Sequence, residues 1–309
     1  MIWVLVDLSY LAYRALHSVG GLATDDVPTG VMFGFFQQLR QICTDTRIAS
    51  NRVAIFCDSR KSHRRKAYPA YKANRGKDHD PEQWKRISLM YDQLHLLRKK
   101  VLPAVGFPVF RQTGLESDDL IAQAARQLLK EAAFGGEARR GVMITADGDL
   151  YQCITDVVHW FDPQRSLYHN PSTFEQAAGI PAHRWGEVKQ LAGCGTDNVK
   201  GVPGVGEATA IRYLNGNLPA TYKRCEAIAL HGRKILKRNK ELVVLPHPRT
   251  KPVELVEPDY DPEAFFQFAK DYGLLKFLDE EKAWRSFFKG TFHVPRRRGE
   301  GRRPQGFGL

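Results

Sequence analysis

Cysteine is scarce in this sequence and follows no pattern. The five residues, Cys43, Cys57, Cys153, Cys194 and Cys225, are odd in number, scattered, and include no CxxC pair. That usage suits reduced thiols in a cytoplasm-like compartment. No apolar run is long enough to cross a bilayer. Met1-Ile2-Trp3-Val4 leads directly into an acidic strand end, not a signal-peptide cleavage site, so no membrane partner and no secretory leader is expected. There is no internal repeat at a fixed period, and low-complexity sequence is confined to the last residues. Acid is also missing where it would matter. Residues 60–77 hold eight Lys or Arg and no carboxylate, and residues 296–309 hold five Arg against one Glu. Those two stretches account for the whole formal net charge of +12, which points to a polyanionic partner.

What the chain does have is apolar bulk and clustered acid. At 309 residues and 43% hydrophobic it can bury a substantial core, organised as one large domain with a smaller one. Gly114-Leu115-Glu116-Ser117-Asp118-Asp119-Leu120 packs three carboxylates into four residues, just ahead of an apolar stripe (Leu120, Ile121, Ala124, Ala125, Leu128, Leu129) at helical spacing. Acid in a first helical turn is ordinary, because it complements the macrodipole. The company it keeps is not ordinary. Ile144-Thr145-Ala146-Asp147-Gly148-Asp149 sets two more carboxylates where a strand yields to a helix. Val4-Leu5-Val6-Asp7 and Ala54-Ile55-Phe56-Cys57-Asp58 each end an apolar run with Asp. Strands alternating with helices predict an open parallel α/β sheet, which would gather these acids beyond the carboxyl ends of its strands. Repulsion among them calls for a hard cation, Mg²⁺ or Mn²⁺.

Strands are expected at residues 1–7, 53–57, 108–110, 142–145 and 157–161. Between the second and third, Arg60 to Lys77 interleaves basic residues with Tyr68 and Tyr71, a composition that tracks a nucleic-acid strand. Trp84, Ile87, Tyr91, Leu94, Leu97 and Val101 follow at helical spacing, so this insertion would rise above the acidic edge as a cover. Phe33, Phe35 and Phe36 read as packing. From about Pro171 the chain turns helical. There Asp197-Asn198-Val199-Lys200-Gly201-Val202-Pro203-Gly204-Val205-Gly206 breaks one helix and opens another; such glycines let backbone N–H groups approach a phosphate. Residues 219–242 add a basic helical face, and the Arg/Gly/Pro tail after His293 reads as disordered.

Taken in order, these motifs, with Pro28-Thr29-Gly30 and Tyr68-Pro69-Ala70-Tyr71-Lys72-Ala73-Asn74-Arg75, resemble the flap endonuclease family. The likeness is to phage 5′–3′ exonucleases and the N-terminal nuclease domain of bacterial DNA polymerase I, and it covers about residues 1–290. It implies a PIN-like nuclease domain over 1–170 with a helical arch at about 60–101. It also implies a helical duplex-binding domain over 171–292 with a helix–three-turn–helix at about 188–216, then a basic tail at 293–309. Asp7, Asp58, Glu116, Asp118, Asp119, Asp147, Asp149 and Asp197 match the family's metal carboxylates, and Lys72 and Arg75 its phosphate-contacting residues. Tyr71 matches its stacking aromatic; Arg65, Lys66, Lys200, Gly201, Gly204 and Gly206 would contact DNA. Two metal ions, and K⁺ at the helix–three-turn–helix, are implied, as are 5′-phosphate products. A free-standing monomeric enzyme is expected, acting on branched or 5′-ended duplex DNA or an RNA–DNA hybrid in the cytoplasm of a bacterial or phage-infected cell.

One departure stands out. Gly193-Cys194-Gly195-Thr196-Asp197-Asn198 puts Cys194 where the family carries an Asp, which should weaken the second metal. That substitution keeps a catalytically weak branched-DNA-binding protein open as an alternative. A PIN-type ribonuclease is the other, although such domains usually lack the arch and the glycine-rich element.

Overall fold

Apolar runs become strands here wherever an Asp or a turn stops them. The computed structural model describes residues 1–135 and 139–291, so the basic tail at 293–309 lies outside the described residues. β1 (Ile2–Asp7) leads into α1 (Leu8–Val19), a short hairpin of β2 (Ala23–Thr24) and β3 (Val27–Pro28), α2 (Gly30–Cys43) and β4 (Arg52–Phe56). α3 (His63–Ala67), α4 (Pro81–Leu96), a π-helical turn at Leu97–Val101 and α5 (Leu102–Val105) precede β5 (Val109–Phe110) and α6 (Ser117–Ala133). β6 (Arg140–Ile144), β7 (Val158–Asp162) and β8 (Leu167–His169) complete the sheet. Then come α7 (Pro171–Ala178), α8 (Trp185–Ala192), the paired β9 (Gly193–Cys194) and β10 (Val199–Lys200), α9 (Glu207–Leu214) and α10 (Lys223–Val243). α11 (Pro262–Asp271), α12 (Leu275–Asp279) and α13 (Glu281–Phe288) close the chain.

The six-stranded sheet runs β5-β4-β1-β6-β7-β8. Its first five strands are parallel, and β8 returns antiparallel to β7. That sixth strand was not expected, because three residues between a turn and a helix cap carry no periodic signal. Parallel register places the ends of β1, β4 and β6 on one edge, with Asp7 opposite Phe56 and Val6 opposite Ile144. Alternation along β1 sends Val4 and Val6 to one face and Trp3 and Leu5 to the other. On the first face they meet α1, α2 and the aromatic group Phe265, Phe277 and Trp284; Phe35 and Phe36 are fully buried there, as packing residues. On the second they meet α6 together with Trp185, Val188 and Val202. Among the described residues no hydrophobic cluster is confined to residues beyond 170, so the helical part shares both cores with the sheet. No described helix is long and apolar enough to cross a membrane.

Candidate active site and metal-binding carboxylates

Asp7 ends β1 and caps α1, accepting from the backbone N–H of Ser9 at 2.9 Å and Tyr10 at 3.3 Å. Asp58, just past β4, accepts from the Ser9 hydroxyl at 2.7 Å and from the backbone and hydroxyl of Ser117 at 2.9 and 3.1 Å. Asp147 follows β6 and accepts from the N–H of Asp149 at 2.7 Å. Asp118 in the first turn of α6 has a buried Oδ1 with no hydrogen-bond partner. These four, with Glu116, line one cavity of about 560 Å³ together with Tyr13, Arg65, Lys72, Arg75, Trp84 and Tyr91.

Burial and mutual repulsion govern the acids. Desolvation, then Asp58, pushes the Asp7 carboxyl up to about 7. Desolvation, then Asp147 and Asp7, holds Asp118 well above the usual carboxylate range. Among the described residues none of Asp7, Asp58, Asp118 or Asp147 pairs with a Lys or Arg side chain. An orphaned buried oxygen amid four unpaired carboxylates is a donor set that fits a hard divalent cation.

The cover is partly as the spacing predicts. Ile87, Leu94, Leu97 and Val101 are buried, but Trp84 and Tyr91 are about half exposed because they face the cavity instead of a neighbouring helix. The Tyr91 hydroxyl lies 3.2 Å from that of Tyr13 on α1, linking α4 to the sheet edge.

The basic stretch divides its residues between roles. Lys72 Nζ lies 2.8 Å from Glu116 and 3.6 Å from Asp197, and Arg75 donates to Asp197 at 2.7 Å. Lys72 sits at φ 53°, a left-handed conformation uncommon for a side chain of its size and held by its surroundings. Arg65 and Lys66 are exposed. Tyr71, expected as a stacking aromatic, is only 2% exposed; its hydroxyl lies 2.8 Å from Glu116 and 3.0 Å from Asp197, so the ring presents no face to a base. Asp119 departs further from expectation. Both its oxygens take Arg64 in a buried fork at 2.6 Å, and it also accepts from the backbone of His247 and Glu116. With no free lone pair aimed at the cavity, it acts as a structural anchor. Arg64, which makes that pair, could not be told from its basic neighbours in the sequence.

Asp149 and Asp197 form a second group with Cys194, their ligand atoms all within 4.8 Å of one another. Burial raises the Cys194 thiol above its ordinary range, and its sulfur lies 3.1 Å from the Thr196 hydroxyl. Asp149, pushed up to about 6 mainly by desolvation and next by Asp147, pairs with Lys189 of α8 at 2.9 Å. Nothing in the sequence singles out Lys189, which sits between Val188 and Gln190 on a short mixed helix.

The glycines also separate. A Cβ on Gly201 would meet the Ala192 carbonyl carbon at 2.2 Å, so this glycine serves close packing against the end of α8. Gly206, at the start of α9, faces open space, and a Cβ on Gly204, at φ +73°, would meet only the Arg224 side chain, at 3.9 Å, so the backbone here is open to a phosphate. Lys200 is exposed beside them.

A mostly parallel six-stranded α/β fold, carrying an acidic strand-end cavity roofed by basic side chains, defines the class. Residues 2–179 match the family described as 5′–3′ exonuclease, N-terminal resolvase-like domain. The chain belongs to that family of phosphodiester hydrolases. The thermostable DNA polymerase I of Thermus aquaticus is 32% identical over 228 residues, 73% of this chain and 25% of that protein. The chain thus spans about a quarter of the length of that relative. The fold is shared with bacteriophage T5 flap endonuclease in a pseudo-enzyme–product complex with DNA and metal ions: TM-score 0.65, 18% identity, 94% of this chain and 99% of that one. T5 5′-exonuclease with bound zinc ions is similar (TM-score 0.64, 19% identity, 91% and 98% covered).

Proposed function

We propose that this chain is a metal-dependent, structure-specific nuclease that cuts DNA near a 5′ end, as a 5′–3′ exonuclease and flap endonuclease leaving 5′-phosphate. The observation that carries the reading is the convergence of Asp7, Asp58, Glu116, Asp118 and Asp147 on the cavity that Lys72 and Arg75 also line. Mg²⁺ or Mn²⁺ would be held by these carboxylates; when bound, it supplies a more acidic water and charge neutralisation at the phosphate. The chain's own residues do the rest. Lys72 and Arg75 are cations within reach of an incoming phosphate, where they offset charge that grows in the transition state. Tyr13, Trp84 and Tyr91 narrow the cavity under α4, which acts as the arch over a single-stranded 5′ segment. Gly204, Gly206 and Lys200, between α8 and α9, act as the duplex-holding helix–three-turn–helix. Phosphate contacts of this kind position DNA without reading its sequence.

The test is incubation with 5′-flap DNA, blunt duplex DNA and single-stranded RNA, each with Mg²⁺ or with EDTA. Cleavage of the flap substrate in Mg²⁺ alone is expected. Binding of flap DNA without cleavage would point to a branched-DNA-binding protein, and preference for the RNA to a ribonuclease.

A further inference from the structure

The two carboxylate groups differ in what already neutralises them. In the first, among the described residues, four acids have no basic partner and one buried oxygen has no hydrogen-bond partner. In the second, each acid is already engaged. Asp149 takes the Lys189 ammonium at 2.9 Å, and Asp197 takes Arg75 at 2.7 Å, Tyr71 at 3.0 Å and Lys72 at 3.6 Å. The third member, Cys194, offers a soft, neutral sulfur in place of an anionic oxygen. Two carboxylates therefore face three cations, and a hard divalent ion would have to displace at least one of them. Lys189 is poorly placed to leave. It is only 8% exposed, it sits within α8, and its ammonium also holds Glu207 of α9 at 3.0 Å. This donor set does not fit a second Mg²⁺.

We propose that this protein fills its second cation position itself, with the ammonium of Lys189, and needs one bound divalent ion, at Asp7, Asp58, Asp118 and Asp147. The inference rests on the nuclease reading and specifies its cofactor. Lys189 and Cys194 form a matched pair: the thiol removes the carboxylate charge a second metal would need, and the lysine supplies the positive charge that metal would have brought. Lys189 is a positioning residue here, since it reaches Asp149 and Glu207 rather than the phosphate.

The test counts metal ions on the full chain without DNA, by Mn²⁺ electron paramagnetic resonance. It therefore stands whether or not the chain cleaves DNA. Wild type should bind one ion tightly, and Lys189→Arg should too. Lys189→Met combined with Cys194→Asp should bind two, the second within about tenfold of the first. Two tight ions on wild type would overturn the proposal, as would a folded double variant that still binds one. A second readout needs no destabilising change. The ¹⁵N resonance of the Lys189 ammonium, assigned through Lys189→Arg, should keep its chemical shift as Mg²⁺ saturates the protein. Its release towards a solvent-exposed value would mean the metal displaces it, and the proposal would fall.

Discussion

The backbone N–H of Lys72 donates to the carbonyl oxygen of Asp197 at 2.8 Å, across 125 positions of sequence. Beside it, the Asn198 side-chain amide donates to the Ala70 carbonyl at 2.8 Å. The basic segment and the glycine-rich loop are thus stitched together by main chain, independently of the ion pairs they also share. The left-handed backbone at Lys72 is held by that seam.

Lys72→Ala should slow single-turnover cleavage of a 5′-flap substrate by about 10²–10³-fold, in line with the loss of one donor to a developing oxyanion. Binding should change by no more than about threefold, because one charge among many basic groups adds little to affinity. Single-turnover rates and binding measured in Ca²⁺ separate the two effects. A near-normal rate with a large loss of affinity would reduce Lys72 to steering.

Asp118→Asn and Asp147→Ala should abolish cleavage in Mg²⁺ while DNA binding stays the same or tightens, since each removes negative charge facing the phosphate. Asp118→Asn should also raise the melting temperature of the metal-free protein. It deletes a carboxylate that burial and two neighbouring acids disfavour in its charged form. Calorimetry in EDTA beside a gel-shift titration checks both, and full Mg²⁺-dependent activity in the two variants would remove them from the metal site.

Asp119→Ala should behave as a folding mutant. It leaves the Arg64 guanidinium buried at 2% exposure with no carboxylate opposite both its nitrogens, a change that costs about 3–5 kcal/mol. Denaturant unfolding should show that loss, while the metal affinity of the folded fraction is unchanged. A stable Asp119→Ala protein with weakened Mn²⁺ binding would return Asp119 to the metal ligands.

Much of this is legible in the sequence, and the reason is local. Val4 to Asp7, Ala54 to Asp58 and Ile144 to Asp147 each show a strand and its stop within a few residues, so the acidic edge followed from parallel topology alone. What stayed hidden depends on contacts distant in sequence. Asp119 sits one residue from Asp118 and carries the same chemistry; helical rotation alone turns it towards Arg64, 55 positions away. Tyr71 reads as an exposed aromatic in a basic run until Glu116 and Asp197 close over its hydroxyl. Gly201 is indistinguishable from Gly204 until the end of α8 is packed against it.

The last expectation concerns pH. The Asp7 carboxyl is pushed up to about 7 in the folded protein and Asp149 to about 6, whereas an unfolded Asp titrates near about 3.9. Between those values the folded state holds protons that the unfolded state has lost. Stability from these groups is therefore fully present below about pH 4 and is lost as pH rises through 6 and 7. In EDTA, wild type should melt progressively lower between pH 5 and 7.5 than Asp7→Asn, which lacks the larger of the two effects. Divalent metal competes with protons for the Asp7 oxygens, so it should reverse the trend. At a Mg²⁺ concentration about a hundred times Kd, stabilisation should approach about 2.7 kcal/mol at pH 7.5 and be much smaller at pH 5. Scanning calorimetry at both pH values, with Mg²⁺ and with EDTA, reads all four corners. Equal Mg²⁺ stabilisation at pH 5 and 7.5 would mean that the titrating acids on this sheet edge are not the ones that hold the metal.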